Sequence, residues 1–280
     1  MNKWLLRKQL EAFFHEDIGD GDKTTEYLFE TDRVIEGAYI AKGNGIFSGE
    51  SILIEGYQLL DQKVEVHLMK RDGDIVRKGE TIAVVSGSNQ ALLTGERVLL
   101  NLIQRMSGIA TVTNQAVRRL DNPDIRICDT RKTTPGLRML EKYAVRCGGG
   151  FNHRHGLYDA VMIKDNHIES MGSITNAVEQ VRKKAGHMIN IEVEVENESQ
   201  LEEALQANVD VIMLDNLEPV QIIKLMKNIP DNMTTEASGN ITVDNIAAYR
   251  DTGVDYISLG FITHSAKAMD ISFRLMGESK

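Results

Sequence analysis

From residue 124 to residue 260 the chain repeats one pattern: a short apolar run, polar residues at its end, then a helix-like stretch. The runs are DIRICDT (124–130), AVMIKDN (160–166), INIEVEV (189–195), VDVIMLDN (209–216), NMTTEAS (232–238) and VDYISLG (254–260). The last four begin about 20 to 25 residues apart, the length of one βα unit. Helical patterns fall between most of them, as at 198–207 and 242–252. Six successive units predict an α/β fold, either a (β/α) barrel or an open doubly wound sheet. Both architectures put the active site at the carboxyl ends of the strands.

That rule gives the strand ends a meaning. They carry Asp129, Arg131 and Lys132; Lys164 and Asp165; Glu192, Glu194 and Glu196; Asp215 and Asn216; Glu236 and Ser238; and Ser258 and Gly260. An isolated charge at a strand end is usually solvated, but six consecutive ends of this kind predict a shared site. Within IEVEVE, strand alternation puts Glu192, Glu194 and Glu196 on one face and Ile191, Val193 and Val195 on the other. In a barrel the apolar face packs under the outer helices, so the glutamates point inward. Carboxylates there repel one another unless Lys132, Lys164 or a divalent metal compensates them. On an edge strand the same alternation is a solvated acidic face.

Cations concentrate in residues 126–167, where Arg126, Arg131, Lys132, Arg138, Lys142, Arg146, Arg154 and Lys164 outnumber Asp129, Glu141, Asp159 and Asp165 by four. The whole chain carries a net charge of −9. Arginine forks suit planar carboxylates and phosphates, and lysine acts as a point charge. The pattern predicts a site for a polyanion with a carboxylate side opposite, as a magnesium-bound sugar phosphate plus an acidic second substrate would require. Two glycine-bearing loops, EASGNIT (236–242) and SLGFITHS (258–265), stand at the late strand ends where backbone N–H groups bind phosphate.

The first hundred residues read differently. Residues 2–14, with Trp4, Leu5, Ala12 and Phe13 among charges, fit an amphipathic helix. EDIGDGDKTT (16–25) is turn-rich and does not align with a calcium loop, so its role is structural. Residues 34–87 read as short strands separated by glycines. RDGDIVRKGETIAVVSG resembles half of a biotinyl or lipoyl carrier module, but the lysine such a module modifies is missing. Residues 91–120 form a long helical stretch in which Gly95 and Gly108 allow a bend or a second helix.

At 280 residues and 42% hydrophobic, the chain can bury a large α/β core. A pI near 5.4 argues against a nucleic-acid surface. Cys128 and Cys147 read as reduced thiols, without metal-ligand spacing. The charged N-terminus lacks a signal-peptide core, and no run approaches the roughly 18 apolar residues of a membrane span. The expectation is a soluble cytoplasmic protein.

In order, DTRKTTPGLR, KYAVRCGGGFNHRHGLYDAVMIKDNH, IEVEVE, IMLDN, EASGNIT and GVDYISLGFITHS resemble the motifs of the quinolinate phosphoribosyltransferases, or carboxylating nicotinate-nucleotide pyrophosphorylases. EDIGDGDKTT and GERVLLNLIQRMSGIAT add to a resemblance that runs from about residue 16 to 272. It implies an N-terminal α/β sandwich domain (1–108, joined by 266–280) packed on an incomplete TIM-like barrel (109–265). It implies a transferase that converts quinolinate and phosphoribosyl pyrophosphate into nicotinate mononucleotide, carbon dioxide and pyrophosphate, a step of NAD synthesis. Magnesium as cofactor, and a homodimer or larger assembly in which Arg97 completes the neighbour's site, are implied as well.

Carried over by motif, Arg131 and Arg154 clamp the quinolinate carboxylates, with His153 and Lys164 beside them. Lys132 reaches both substrates. Glu194 and Asp215 hold the ribose hydroxyls and magnesium, and Glu192 shares that work. Ser238, Gly239 and Asn240, with Leu259, Gly260 and Phe261, fall at the 5′-phosphate loops, and His264 lies near the second. The family commonly has Gly-Gly after the serine where this chain has Gly239-Asn240; Asn tolerates unusual backbone angles, so the loop survives. The competing readings are a relative acting on nicotinate, a Schiff-base aldolase using Lys164, and a non-enzymatic carrier module.

Overall fold

The structure is a computed structural model and describes residues 1–29 and 33–276. The chain divides into two compact units. The first holds Met1–Val112, Met139–Gly149 and Ala266–Lys280; the second holds Thr113–Arg138 and Gly150–Ser265. Residues 139–149, kept with the barrel in the sequence reading, thus cluster with the first unit. Residues 277–280 of the expected C-terminal addition lie outside the described residues.

The first unit opens with helices α1 (Lys3–Ile18) and α2 (Lys23–Leu28). The Asn2 side chain accepts the N–H groups of Trp4 and Leu5, and Gly19 at φ 52 ends α1. Asp22 caps α2 through the N–H of Thr25, so the turn-rich 16–25 stretch is a helix-to-helix junction. The buried stripe of α1 is Leu6, Leu10 and Phe14, and Trp4 is exposed. The helix is the one expected, but its inward face is displaced from the expected residues.

There follow β1 (Val34–Ala41), β2 (Gly45–Ile46), α3 (Glu50–Leu60), β3 (Glu65–Leu68), β4 (Ile75–Val76), β5 (Thr81–Ser88) and α4 (Asn89–Leu120). Helix α3 stands where only strands were expected. Its cap comes from far along the chain: Asp72 Oδ1 accepts the N–H groups of Gly49 (2.6 Å) and Glu50 (3.1 Å). Helix α4 is continuous over 32 residues, without the break allowed at Gly95 or Gly108. Gly108 serves close approach instead: a Cβ there would lie 2.1 Å from the Lys267 carbonyl oxygen.

The second unit begins its sheet with β6 (Arg126–Cys128), and α5 (Arg138–Cys147) lies almost wholly in the first. The rest of the second unit is β7 (Val161–Ile163), α6 (Asp165–Met171), α7 (Ile174–Arg182), β8 (Ile191–Val195), α8 (Glu198–Gln206), β9 (Val211–Asp215), α9 (Pro219–Met226), β10 (Thr234–Ser238), β11 (Tyr256–Ser258) and α10 (Phe261–His264). Finally β12 (Ile271–Met276) completes an antiparallel sheet of the first unit in the order β12-β1-β5-β3, and β2 pairs with β4 in a separate ribbon. The carrier-like segment is therefore β4 and β5 running into α4.

The second unit's sheet has the order β6-β11-β10-β9-β8-β7, with every pairing parallel. This is the cyclic order of a barrel with the β6–β7 link absent, which decides between the two expected architectures in favour of an incomplete barrel. Strand β8 lies between β7 and β9, so its glutamates are not on an edge. Ile191, Val193 and Val195 are fully buried, as are Leu201 and Ala204 of α8. Each of the Val, Ile and Leu side chains contributes about 1.5–3 kcal/mol by leaving water. The helix expected over 242–252 is only a 3₁₀ turn, Ile246–Tyr249. No helix among the described residues is long and apolar enough to cross a membrane.

Candidate active site

A cavity of about 630 Å³ opens at the carboxyl ends of the second unit's strands. Arg131 and Lys132 enter it from the loop after β6, and Lys164 from the end of β7. Glu194 of β8 and Asp215 of β9 face them, and Ser238, Gly239 and Asn240 close the β10 end. His153 and Arg154 arrive from the segment before β7. Met162, Ile168 and Met213 are the apolar part of the lining, and Asp165, Glu196 and Asn216 also reach it.

Five of the expected residues, and Glu192 with them, stand outside that lining. Leu259 is buried, and its N–H donates to the Cys128 carbonyl. Gly260 backs Lys132: a Cβ there would meet Lys132 Cδ at 3.0 Å and His264 Nε2 at 3.3 Å. Phe261 and His264 form the short α10 behind it. Arg97 belongs to the first unit, in the first third of α4, where its side chain is 61% exposed and its ion-pair partner is the neighbouring Glu96.

Only half of the cation-rich segment reaches the cavity. Arg126 starts its strand rather than ending it, and lies over the rings of Phe151 and Tyr256. Arg138 donates to Thr133 Oγ1 and the His155 carbonyl. Lys142 is buried in α5 and Arg146 is exposed on the same helix. Arg131, Lys132, Arg154 and Lys164 remain. Burial, then the neighbouring Arg131, holds Arg154 below its usual pKa. Arg131 Nε is buried without a hydrogen-bond partner among the described residues. This half of the cavity is cationic and incompletely paired, which favours an anionic ligand.

The acidic half is organised around β8. Lys164 Nζ donates to Glu194 Oε1. Burial raises the Glu194 pKa, Lys164 opposes it, and the charges of Asp215 and Glu192 add to the rise. Glu192 and Glu236 are buried below. His153 Nε2 stands 3.2 Å from Glu192 Oε2 and 3.7 Å from Glu236 Oε1. Burial and then the Glu192 charge push Glu236 up to about 7.

His153, Glu192 and Glu236 bring ligand atoms within 4.8 Å of one another. However, the Arg154 N–H donates to His153 Nδ1 at 2.7 Å, which assigns the ring proton to Nε2, the atom facing the carboxylates. The ring thus faces the two carboxylates as a donor rather than as a metal ligand, closest to Glu192. Asp129, read as a reactive strand end, is fully buried and accepts from Asn152 Nδ2 and the His153 N–H. Its place is structural: it holds the segment that delivers His153 and Arg154.

Glu236 and Asn216 were read as strand-end groups of the shared site, without a particular role. Glu236 shares a strand face with Ser238 two residues on, a period-2 signal that was available. Asn216, at φ 56, donates to Asp215 Oδ2 and accepts from Asn240 Nδ2 at 3.0 Å. Gly239 has φ 87, and a Cβ there would lie 2.3 Å from Asn216 Oδ1, so glycine is required. Asn240 itself has φ 56, the left-handed conformation expected of it.

Residues 109–274 match the family described as quinolinate phosphoribosyl transferase, C-terminal domain, and residues 22–107 match its N-terminal domain. A protein of Bacillus subtilis named probable nicotinate-nucleotide pyrophosphorylase [carboxylating] is 58% identical over 272 residues, covering 97% of this chain and 94% of its own. The nicotinate-nucleotide pyrophosphorylase [carboxylating] of Mycobacterium leprae is 38% identical, covering 96% of each. The crystal structure of NadC from Streptococcus pyogenes superposes with a TM-score of 0.95 at 40% identity, over 99% of this chain and 98% of that one.

Proposed function

This chain belongs to the quinolinate phosphoribosyltransferase family, and on that premise we propose that its cavity transfers a phosphoribosyl group to quinolinate with decarboxylation. The products are nicotinate mononucleotide, carbon dioxide and pyrophosphate, in de novo NAD synthesis. The observation that carries the reading is the division of the cavity into a cationic half, Arg131 and Arg154, in which Arg131 Nε has no partner among the described residues, and an acidic half, Glu194 and Asp215.

Arg131 and Arg154 bind the two carboxylates of quinolinate, with His153 and Lys164 alongside, and orient its ring nitrogen toward the ribose. Arginine forks fit carboxylates in two directions, which fixes the ring plane. The nitrogen attacks the anomeric carbon as pyrophosphate departs, and positive charge develops on the ribose. Glu194 and Asp215 stand where they stabilise that charge and accept the ribose hydroxyls. Lys132 offers a cation to both anions. Once formed, the pyridinium withdraws electrons from the adjacent carboxylate, so carbon dioxide leaves without a separate electron sink, and the ring carbon that keeps the electron pair takes up a proton from water. Ser238, Gly239 and Asn240, with the 259–261 backbone and His264, receive the 5′-phosphate.

Two hard carboxylate donors on one wall of the cavity fit a divalent cation, and Glu194 and Asp215 are the residues that would hold magnesium. When bound, magnesium neutralises the pyrophosphate leaving group. We also propose a cytoplasmic homodimer or larger assembly in which the exposed Arg97 reaches the neighbour's site. The aldolase alternative is disfavoured because Lys164 Nζ is engaged in an ion pair with Glu194, where a Schiff-base lysine needs its amine free to attack. Product formation from quinolinate, phosphoribosyl pyrophosphate and magnesium, compared with nicotinate in place of quinolinate, tests the proposal.

A further inference from the structure

Lys164 and Glu194 are assigned to different substrates, yet in the free protein they bind each other. The Lys164 side chain is 42% exposed, and that of Glu194 is 13% exposed. Glu194 is the more buried partner, and a carboxylate out of water needs a counter-charge. Lys164 is the cation hydrogen-bonded to it. On the other side of the cavity Arg131 Nε is buried without a hydrogen-bond partner among the described residues, beside Arg154.

We propose that the Lys164–Glu194 ion pair couples the two substrate half-sites by exchange of partners. A dicarboxylate seated on Arg131 and Arg154 draws the Lys164 ammonium to itself and breaks the pair. Glu194 is thereby released, as a carboxylate, to the ribose hydroxyls and the cation of the second substrate. In the unliganded chain each half-site is partly blocked by the other's residue, and filling one opens the other. Linkage makes the coupling reciprocal. This inference rests on the transferase reading for the identity of the dicarboxylate.

The consequence is that removing an acid assigned to the second substrate improves binding of the first. Quinolinate binding is measured by calorimetry, without magnesium or phosphoribosyl pyrophosphate, on the unsubstituted chain, Glu194→Gln, Lys164→Met, the double variant, and Asp215→Asn. Asp215 also faces the cavity but is not the Lys164 partner, so it controls for simple loss of negative charge. Glu194→Gln should bind quinolinate about fivefold tighter than the unsubstituted chain. Asp215→Asn should stay within about twofold, and Glu194→Gln should give no gain in the Lys164→Met background. Equal gains in Glu194→Gln and Asp215→Asn, or the same gain with and without Lys164, overturn the proposal in favour of general repulsion. Unchanged or weaker binding in Glu194→Gln also overturns it.

Should Glu194→Gln fail to fold, the unsubstituted chain gives the answer: saturating quinolinate should tighten binding of ribose 5-phosphate severalfold, and no change would contradict the exchange. An unsubstituted chain that binds no quinolinate contradicts the functional reading itself, a result distinct from either failure above.

Discussion

Asn240 Nδ2 donates to Asn216 Oδ1 across 3.0 Å, and both residues hold φ 56. Two left-handed asparagines at adjacent strand ends thus brace the loop proposed to take the 5′-phosphate. A left-handed conformation costs an ordinary L-residue about 1–2 kcal/mol, and a β-branched one is strained further. Asn240→Val should therefore lower the melting temperature and raise the KM for phosphoribosyl pyrophosphate at least about fivefold, with quinolinate binding retained. Asn240→Gly should be near neutral, because glycine adopts this backbone freely. Equal behaviour of the two variants in steady-state kinetics would mean that backbone conformation is not what Asn240 supplies.

Gly108 separates helix propensity from packing. Alanine in a helix interior is favoured over glycine by about 1 kcal/mol. Yet the added Cβ would sit 2.1 Å from a backbone oxygen at Lys267, which cannot swing away as a side chain would. Gly108→Ala should destabilise the chain by about 1–3 kcal/mol in denaturant unfolding. A gain in stability would show that the 266–268 segment moves aside readily.

Glu55 sets part of the acid limit of stability. Burial alone raises its pKa, but hydrogen bonds from Lys3 and Arg7 more than offset this and leave it below the ordinary 4.5. A depressed folded pKa stabilises above the unfolded value and loses that contribution as pH falls through the folded one. Glu55→Gln should therefore be less stable at pH 7, by about 1 kcal/mol, and the two proteins should converge as pH drops below 4.5. A difference that does not change across that range would contradict the assignment.

How much of this was legible in the sequence depends on the distance over which each signal acts. The six strands of the second unit were legible because alternation and a 20 to 25 residue repeat are local and redundant. The inward face of β8 followed from period two alone. Helix α3 was not legible, since its cap, Asp72, lies 22 residues beyond Glu50. Gly108 reads as a break in one dimension, and only the neighbouring backbone at Lys267 shows why it is glycine. The cation-rich segment was over-read for a similar reason: charge counting cannot tell Arg131 at a strand end from Lys142 buried in a helix.

Arg131 distinguishes binding from folding. Its Nε is buried without a hydrogen-bond partner among the described residues, so its removal breaks little in the free protein and much in the complex. Arg131→Ala should raise the KM for quinolinate by about tenfold or more, the worth of a charged hydrogen-bonded contact. The melting temperature should hardly move. Parallel losses of stability and quinolinate use would make it a structural residue.

The most direct measurement is the reaction itself, followed by chromatography of the nucleotide and capture of carbon dioxide. Folded protein given quinolinate, phosphoribosyl pyrophosphate and magnesium should yield nicotinate mononucleotide, carbon dioxide and pyrophosphate in equal amounts, and nicotinate should not replace quinolinate. A folded protein that forms no nucleotide, or that makes it from nicotinate without releasing carbon dioxide, would contradict the account.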